Sequence, residues 1–179
     1  MEDGMNVAGL CEATVTLSDN SAGNLLLTTL GGPEGLNTFL RSIGDETTRL
    51  DRWETELNEG ALGDPRDTTT PTAMLASLES LLFGEVLSET SREQLADWMV
   101  ADQVADELIR ASLPEGWRIG DKTGAGGNGS RSVVAVIWPP EGGPVLAAVY
   151  MTDNTAEFRA RNEAVAEIGA IMIEAIQAQ

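Results

Sequence analysis

Three short stretches of this 179-residue chain set side chains capable of chemistry next to one another. In Ser18-Asp19-Asn20 a hydroxyl, a carboxylate and an amide stand just ahead of a leucine-rich run. Residues of these types cap helices by accepting from the first free backbone N–H groups, so capping alone would account for them. In Arg52-Trp53-Glu54-Thr55-Glu56-Leu57-Asn58 a carboxylate and an amide four residues apart on a local turn can hold one water between them. A solvated charged loop is the plainer account. Lys122-Thr123-Gly124-Ala125-Gly126, followed by Arg131, sets the only lysine beside a hydroxyl and two glycines. Glycine lets backbone approach a ligand closely while an ammonium and a hydroxyl face an anion. An edge strand guarded by a lysine is the alternative.

Composition narrows what these groups can do. The chain has no histidine, which rules out Ser-His-Asp and Cys-His catalysis within it and leaves acid–base work to carboxylates, Lys or Tyr. Cys11 is the only cysteine, so it forms no intramolecular disulfide and reads as a small buried apolar residue. With neither histidine nor a second cysteine, a metal site of that kind is not expected. The formal charge of −18 argues against nucleic acid and against an anionic membrane surface. So acidic a surface suggests a salt-loving source, with an ordinary acidic protein as the alternative. Met1-Glu2-Asp3-Gly4 lacks the basic start and apolar run of a signal peptide, and no stretch is apolar enough to span a bilayer.

The same sequence marks the elements that must hold these groups. Asn6 to Val15 reads as a helix ending near Ser18. Ala22 to Leu30 reads as a second, stopped by Gly31-Gly32. Pro33 suits the first turn of a third, with Leu36, Phe39, Leu40 and Ile43 at helical spacing. From Asp45 to Thr70 periodicity fails, which predicts a long irregular segment, functional or disordered. Arg52 and Asp67 can close its neck as an ion pair. Thr70-Pro71 gives an N-cap and a first-turn proline, opening a helix with Met74, Leu75, Leu78, Leu81 and Leu82 as its stripe. Ser91-Arg92-Glu93-Gln94 is a capping-box pattern that predicts another helix, and a short one is expected over 103–111. Trp117 to Lys122, Ser132 to Trp138 and Val145 to Thr152 read as strands of an antiparallel meander. Phe158 to Ile176 closes the chain as a helix, with Val165, Ile168, Met172 and Ala175 on one side. The expected fold class is α+β: a helical lobe over 1–113 that includes the irregular loop 45–70, then strands and a closing helix over 114–179.

In this order and spacing, the three stretches together resemble the motifs of class A serine β-lactamases. The resemblance covers essentially the whole chain, including Leu25-Leu26-Leu27, the Arg49 to Asp67 loop and Arg159-Ala160-Arg161-Asn162. Arg131 matches an arginine of the penicillinase-like branch. The resemblance implies a β-lactamase/transpeptidase-like fold and hydrolysis of a β-lactam amide through a serine acyl-enzyme, with no cofactor. It implies that Ser18 relays a proton to the departing ring nitrogen and that Asn20 bonds the substrate's side-chain amide. Glu54 with Asn58 would position and deprotonate the deacylating water. Lys122, Thr123 and Arg131 would hold the substrate carboxylate beside Gly124, and the Ala125 N–H would be one oxyanion-hole donor. Gly126 and Gly127 are expected to leave space beside this strand. A penicillin-binding transpeptidase shares Ser-x-Asn and Lys-Thr-Gly, but Glu54 and Asn58 argue against it, because a transpeptidase benefits from slow deacylation.

Three departures matter. Family members often have proline after the glutamate, with a cis bond there, and this chain has Thr55. Cys11 matches a position that, in some members, pairs with a cysteine near the nucleophile. The family's Ser-x-x-Lys, which bears the nucleophile, does not occur, because Lys122 is preceded three residues earlier by Ile119. The expectation is a C-terminal portion of a periplasmic or exported hydrolase that binds or hydrolyses little alone. Truncation, a wrong start at Met1, and a fragment that complements a separate front segment are its possible origins. Missing elements would leave apolar faces uncovered.

Overall fold

In a computed structural model residues 4–178 are described; Met1 to Asp3, on which the reading of the leader rests, lie outside them. The helices are α1 (Val7–Thr16), α2 (Asn20–Thr29), α3 (Gly32–Ser42), α4 (Pro71–Leu82), α5 (Glu89–Val100) and α6 (Phe158–Gln177). The strands are β1 (Arg118–Ala125), β2 (Arg131–Trp138) and β3 (Val145–Met151). Short 3-10 turns occupy Glu56–Asn58 and Ile109–Ser112.

Local chemistry sets most helix starts. The side chains of Asn6, Asp19 and Thr70 accept from the N–H groups of Gly9, Ala22 and Ala73, each three residues on. Two expectations are corrected. Helix α5 starts before Ser91: Ser88 is the extended cap, and its hydroxyl accepts from the Ser91 N–H at 3.3 Å. Residues 103–111 do not form a helix, and only Ile109–Ser112 winds up. The Asp102 carboxylate takes the Val104 N–H at 2.7 Å and turns the chain, while Ala105, Leu108 and Ile109 are fully buried by distant partners.

The sheet is an antiparallel meander in the order β1-β2-β3. β1 runs past Lys122, because Lys122 to Ala125 continue the ladder opposite Val134 to Arg131. One sheet face packs Ile119, Val133, Ala135, Ile137 and Ala147 against Val165 and Ile173 of α6, together with Leu108 and Ile109. The other sets Val136, flanked by Val134, Trp138 and Leu146, against Leu78 and Leu82 of α4 and Met99 of α5. Period-two alternation along β2 therefore feeds two cores. The inward side of α6 is Val165, Gly169 and Ile173, with Met172 and Ile176 beside them; Ile168 and Ala175 face out. The rotation follows from Gly169, where a Cβ would come within 2.9 Å of the Ile109 Cα. The helices and the meander make the fold α+β, as the sequence implies. Val7, Leu17, Leu25 and Leu30 remain exposed on the helical part. Among the described residues no helix is long and apolar enough to cross a membrane.

Candidate active site

The irregular loop is pinned at its neck. Asp67 accepts from Arg52 Nε at 2.5 Å and from the backbone N–H groups of Asp51 and Arg52 at 2.6 and 3.0 Å. Arg52 also reaches Glu59. The expected pair Arg52–Asp67 thus joins the loop's two limbs, outside the cleft itself. Behind it, buried Asp45 accepts from the Thr47 and Thr48 N–H groups and from the Ser77 hydroxyl. Burial pushes the Asp45 carboxyl up, but hydrogen bonds from Thr48, Ser77 and Thr47 outweigh it and hold the group below its ordinary value. The Arg49 guanidinium likewise holds Asp51 down.

Carboxyls depressed in the folded state stabilise it above their unfolded pKa, and that contribution is lost as pH falls through the folded values. Backbone amides of 45–70 are therefore expected to exchange slowly above about pH 5 and to lose protection below about pH 4. Hydrogen exchange followed by mass spectrometry would measure this, and Asp45→Asn should flatten the dependence.

The pinned loop presents Glu54. Its N–H donates to Asn24 Oδ1 at 3.0 Å, and Asn24 Nδ2 donates back to the Glu54 carbonyl at 2.9 Å. Asn58 Nδ2 donates to Glu54 Oε2 at 2.6 Å. The Glu54–Thr55 peptide bond is cis. The loop is also braced from the sheet: the Gly127 N–H donates to the Asn58 carbonyl at 2.7 Å. This corrects the expectation for Gly126 and Gly127, which do not leave open space. A Cβ at Gly126 would come within 2.7 Å of the Asn58 carbonyl oxygen, and one at Gly127 would collide with the Glu59 carbonyl. These glycines admit the loop's backbone.

Opposite stands Lys122. Its Nζ donates to Ser18 Oγ at 2.9 Å and to the Thr123 carbonyl at 3.1 Å. Ser18 has a left-handed φ of 57°, between α1 and the Asp19 cap of α2. β1 is an edge strand, but Lys122 is partly buried and bonded inward, unlike a guarding lysine in water. Burial pushes its pKa down, against the pull of Asp102 and Asp121. Arg131 is 5% exposed and is held by Asn162 Oδ1 at 2.8 Å and the Gly124 carbonyl at 2.9 Å, with its guanidinium over the Phe158 ring. Asn162 is itself fixed by Glu107 at 2.8 Å.

One cleft of about 470 Å³ gathers Ser18, Asn20, Glu54, Asn58, Lys122, Thr123, Gly124, Ala125 and Arg131. A larger hollow of about 640 Å³, between α3 and the loop near Asn37 and Trp53, lies apart from these groups. Sequence reasoning missed Asn24, Asp102 and the role of Asn162. Asn24 leaves one trace, lying one helical turn beyond Asn20. Cys11 is free and half-buried.

Known proteins resemble this chain over nearly its whole length. Residues 2–176 match the family model described as "Beta-lactamase enzyme family". Beta-lactamase AER-1 of Aeromonas hydrophila is 54% identical over 167 residues, 93% of this chain and 55% of that protein. The chain thus spans about half the length of this curated relative. An ancestral (GNCA) class A β-lactamase structure superposes with a TM-score of 0.95 at 59% identity, covering 97% of this chain and 67% of that one. A mutant of the chromosome-encoded β-lactamase of Vibrio parahaemolyticus superposes with a TM-score of 0.93 at 46% identity, covering 97% and 66%. By sequence and by fold, this chain belongs to the class A β-lactamase family.

Proposed function

We propose that the chain supplies the water-activating and carboxylate-binding groups of a serine β-lactamase site acting on penicillin-type β-lactams. The observation that carries this reading is a pair of hydrogen bonds facing one cleft: Lys122 to Ser18 at 2.9 Å and Asn58 to Glu54 at 2.6 Å. Glu54 takes a proton from a water that Asn58 helps to orient, and that water cleaves the acyl-enzyme. The substrate carboxylate lies against Lys122, Thr123 and Arg131, with Gly124 beside it. Ser18 passes a proton to the departing nitrogen, Asn20 bonds the substrate's side-chain amide, and the Ala125 N–H polarises the carbonyl.

The nucleophile is assigned to no residue of this sequence. We propose that it comes from a Ser-x-x-Lys segment outside the sequence given, in a longer protein that is exported or periplasmic. Nitrocefin turnover by the purified 179-residue chain tests this, alone and mixed with a separately produced front segment of a relative. No turnover alone and turnover on mixing are expected. Turnover alone at the rate of an intact enzyme would remove the need for an outside nucleophile. A mixture that associates yet stays inactive would sink the hydrolase reading.

The charge of −18 supports a salt-loving protein. Self-repulsion opposes the compact state and is screened as the Debye length falls to about 3 Å at about 1 M salt. The thermal unfolding midpoint is expected to rise over that range. A flat or falling midpoint would favour an ordinary acidic protein.

A further inference from the structure

Asp102 is a buried carboxylate that the chemistry above leaves unused. It is 4% exposed. One oxygen accepts the Val104 N–H, while Oδ2 meets no hydrogen-bond partner among the described residues. A carboxylate oxygen enclosed in this way is costly unless a positive charge faces it. The packing of β1 on the end of α5 points to that charge. Gly120 and Lys122 share one face of the strand. A Cβ on Gly120 would meet Met99 Cβ at 3.0 Å and the Val100 nitrogen at 3.3 Å, so this face abuts the last residues of α5. The chain leaves α5 at Ala101 and turns at Asp102, and Lys122 is the next position after Gly120 on the strand face that abuts this end of the helix. Val104, fixed by Asp102, lines the same cleft as Lys122. The Gln103 N–H donates to the Thr16 carbonyl at 2.9 Å, which ties this turn to the end of α1, two residues before Ser18. The nearby cation Arg110 is already engaged by Asp121 and by the Met99 and Val100 carbonyls.

We propose that Asp102 is a positioning residue for anion capture: its carboxylate keeps the Lys122 ammonium protonated and directed at Ser18. Burial alone drives Lys122 toward its neutral form, which would bind no carboxylate. The charges of Asp102, Asp121 and Glu54 favour the ammonium, and that of Arg131 opposes it. Asp121 is committed to Arg110, and Glu54 to Asn58. Burial pushes the Asp102 carboxyl up; the Val104 N–H and the charges of Lys122 and Arg110 oppose that push, and the charge of Asp106 adds to it. The functional meaning rests on the β-lactam reading, but the test involves no β-lactam.

Because Lys122 is the only lysine, lysine labelled with carbon-13 at Cε gives one resonance whose pH titration reports this ammonium alone. Asp102→Asn is expected to lower that titration by about one pH unit. Asp106→Asn, which removes an exposed carboxylate, should leave it in place. An unmoved titration in folded Asp102→Asn protein overturns the proposal. If circular dichroism shows that this variant does not fold, Lys122→Met gives the reciprocal measurement. Coupling between two sites is equal in both directions, so the Asp102 Cγ titration must then move up, and its failure to move overturns the proposal. Either failure leaves nitrocefin turnover by the reconstituted protein unaffected as a test of the hydrolase reading.

Discussion

Replacing Glu54 by alanine is expected to stall the reconstituted enzyme after acylation. The side chain is held on two sides: Asn24 fixes its backbone and Asn58 its carboxylate. Alanine keeps the backbone bonds and removes only the proton acceptor. The opposite wall, where Lys122 bonds Ser18 and Arg131 is locked to Asn162, shares no hydrogen bond with the Glu54 carboxylate, so acylation should continue. Loss of a general base costs about 10²- to 10⁴-fold, and here that loss should fall on deacylation. Mass spectrometry of the mixture quenched after adding a penicillin should show the intact adduct accumulating, with one equivalent of penicillin consumed in a burst, since ring opening releases no fragment. Turnover that falls with no adduct would move Glu54 to the acylation step.

Asp121→Ala is expected to have the largest effect on stability. Asp121 is fully buried and receives Arg110 Nε on both oxygens at 3.0 Å and Arg110 Nη2 on one at 2.6 Å. Burial pushes this carboxyl up, and the guanidinium beside it opposes that push. Arg110 also holds the Met99 and Val100 carbonyls at the end of α5, so the pair joins α5 to β1 next to Lys122. Removing one partner of a buried pair costs about 3–5 kcal/mol, a large share of the 5–15 kcal/mol typical of a domain. Urea denaturation should show the midpoint falling accordingly. The double change Arg110→Met with Asp121→Leu should lose less than the single one, because it leaves no unpaired charge. Equal losses would assign the cost to packing.

What the sequence revealed and what it hid follow from the range of the forces involved. Thr70-Pro71 opened a helix as read, because capping and a first-turn proline act within three residues. The start of α5 was misplaced because Ser88 and Ser91 both fit a cap, and only the extended backbone at Ser88 decides between them. The short helix expected over 103–111 does not form there, and Leu108 and Ile109 are buried by the sheet and α6 from far along the chain. β1 outlasted its expected end because Arg131 to Val134 pair with it, and pairing is not visible in one strand alone. In the cleft, Ser18, Glu54 and Lys122 stood out because their types and spacing form a motif. Asn24, thirty residues from Glu54, and Asn162, thirty-one from Arg131, looked like any surface asparagine until the fold brought them together.

The hydrogen bond from Gly127 to the Asn58 carbonyl has an evolutionary consequence. The β1–β2 turn and the loop that holds Glu54 behave as one joined piece. Under the proposed β-lactam reading, a mutation that swings the turn outward to admit a bulkier substrate pulls Asn58, and with it the partner of the Glu54 carboxylate. Along this rim, widening is therefore expected to lengthen the life of the acyl-enzyme in that reading and so to slow turnover. Lineages that widen here should need a second change, within 54–59, to recover speed.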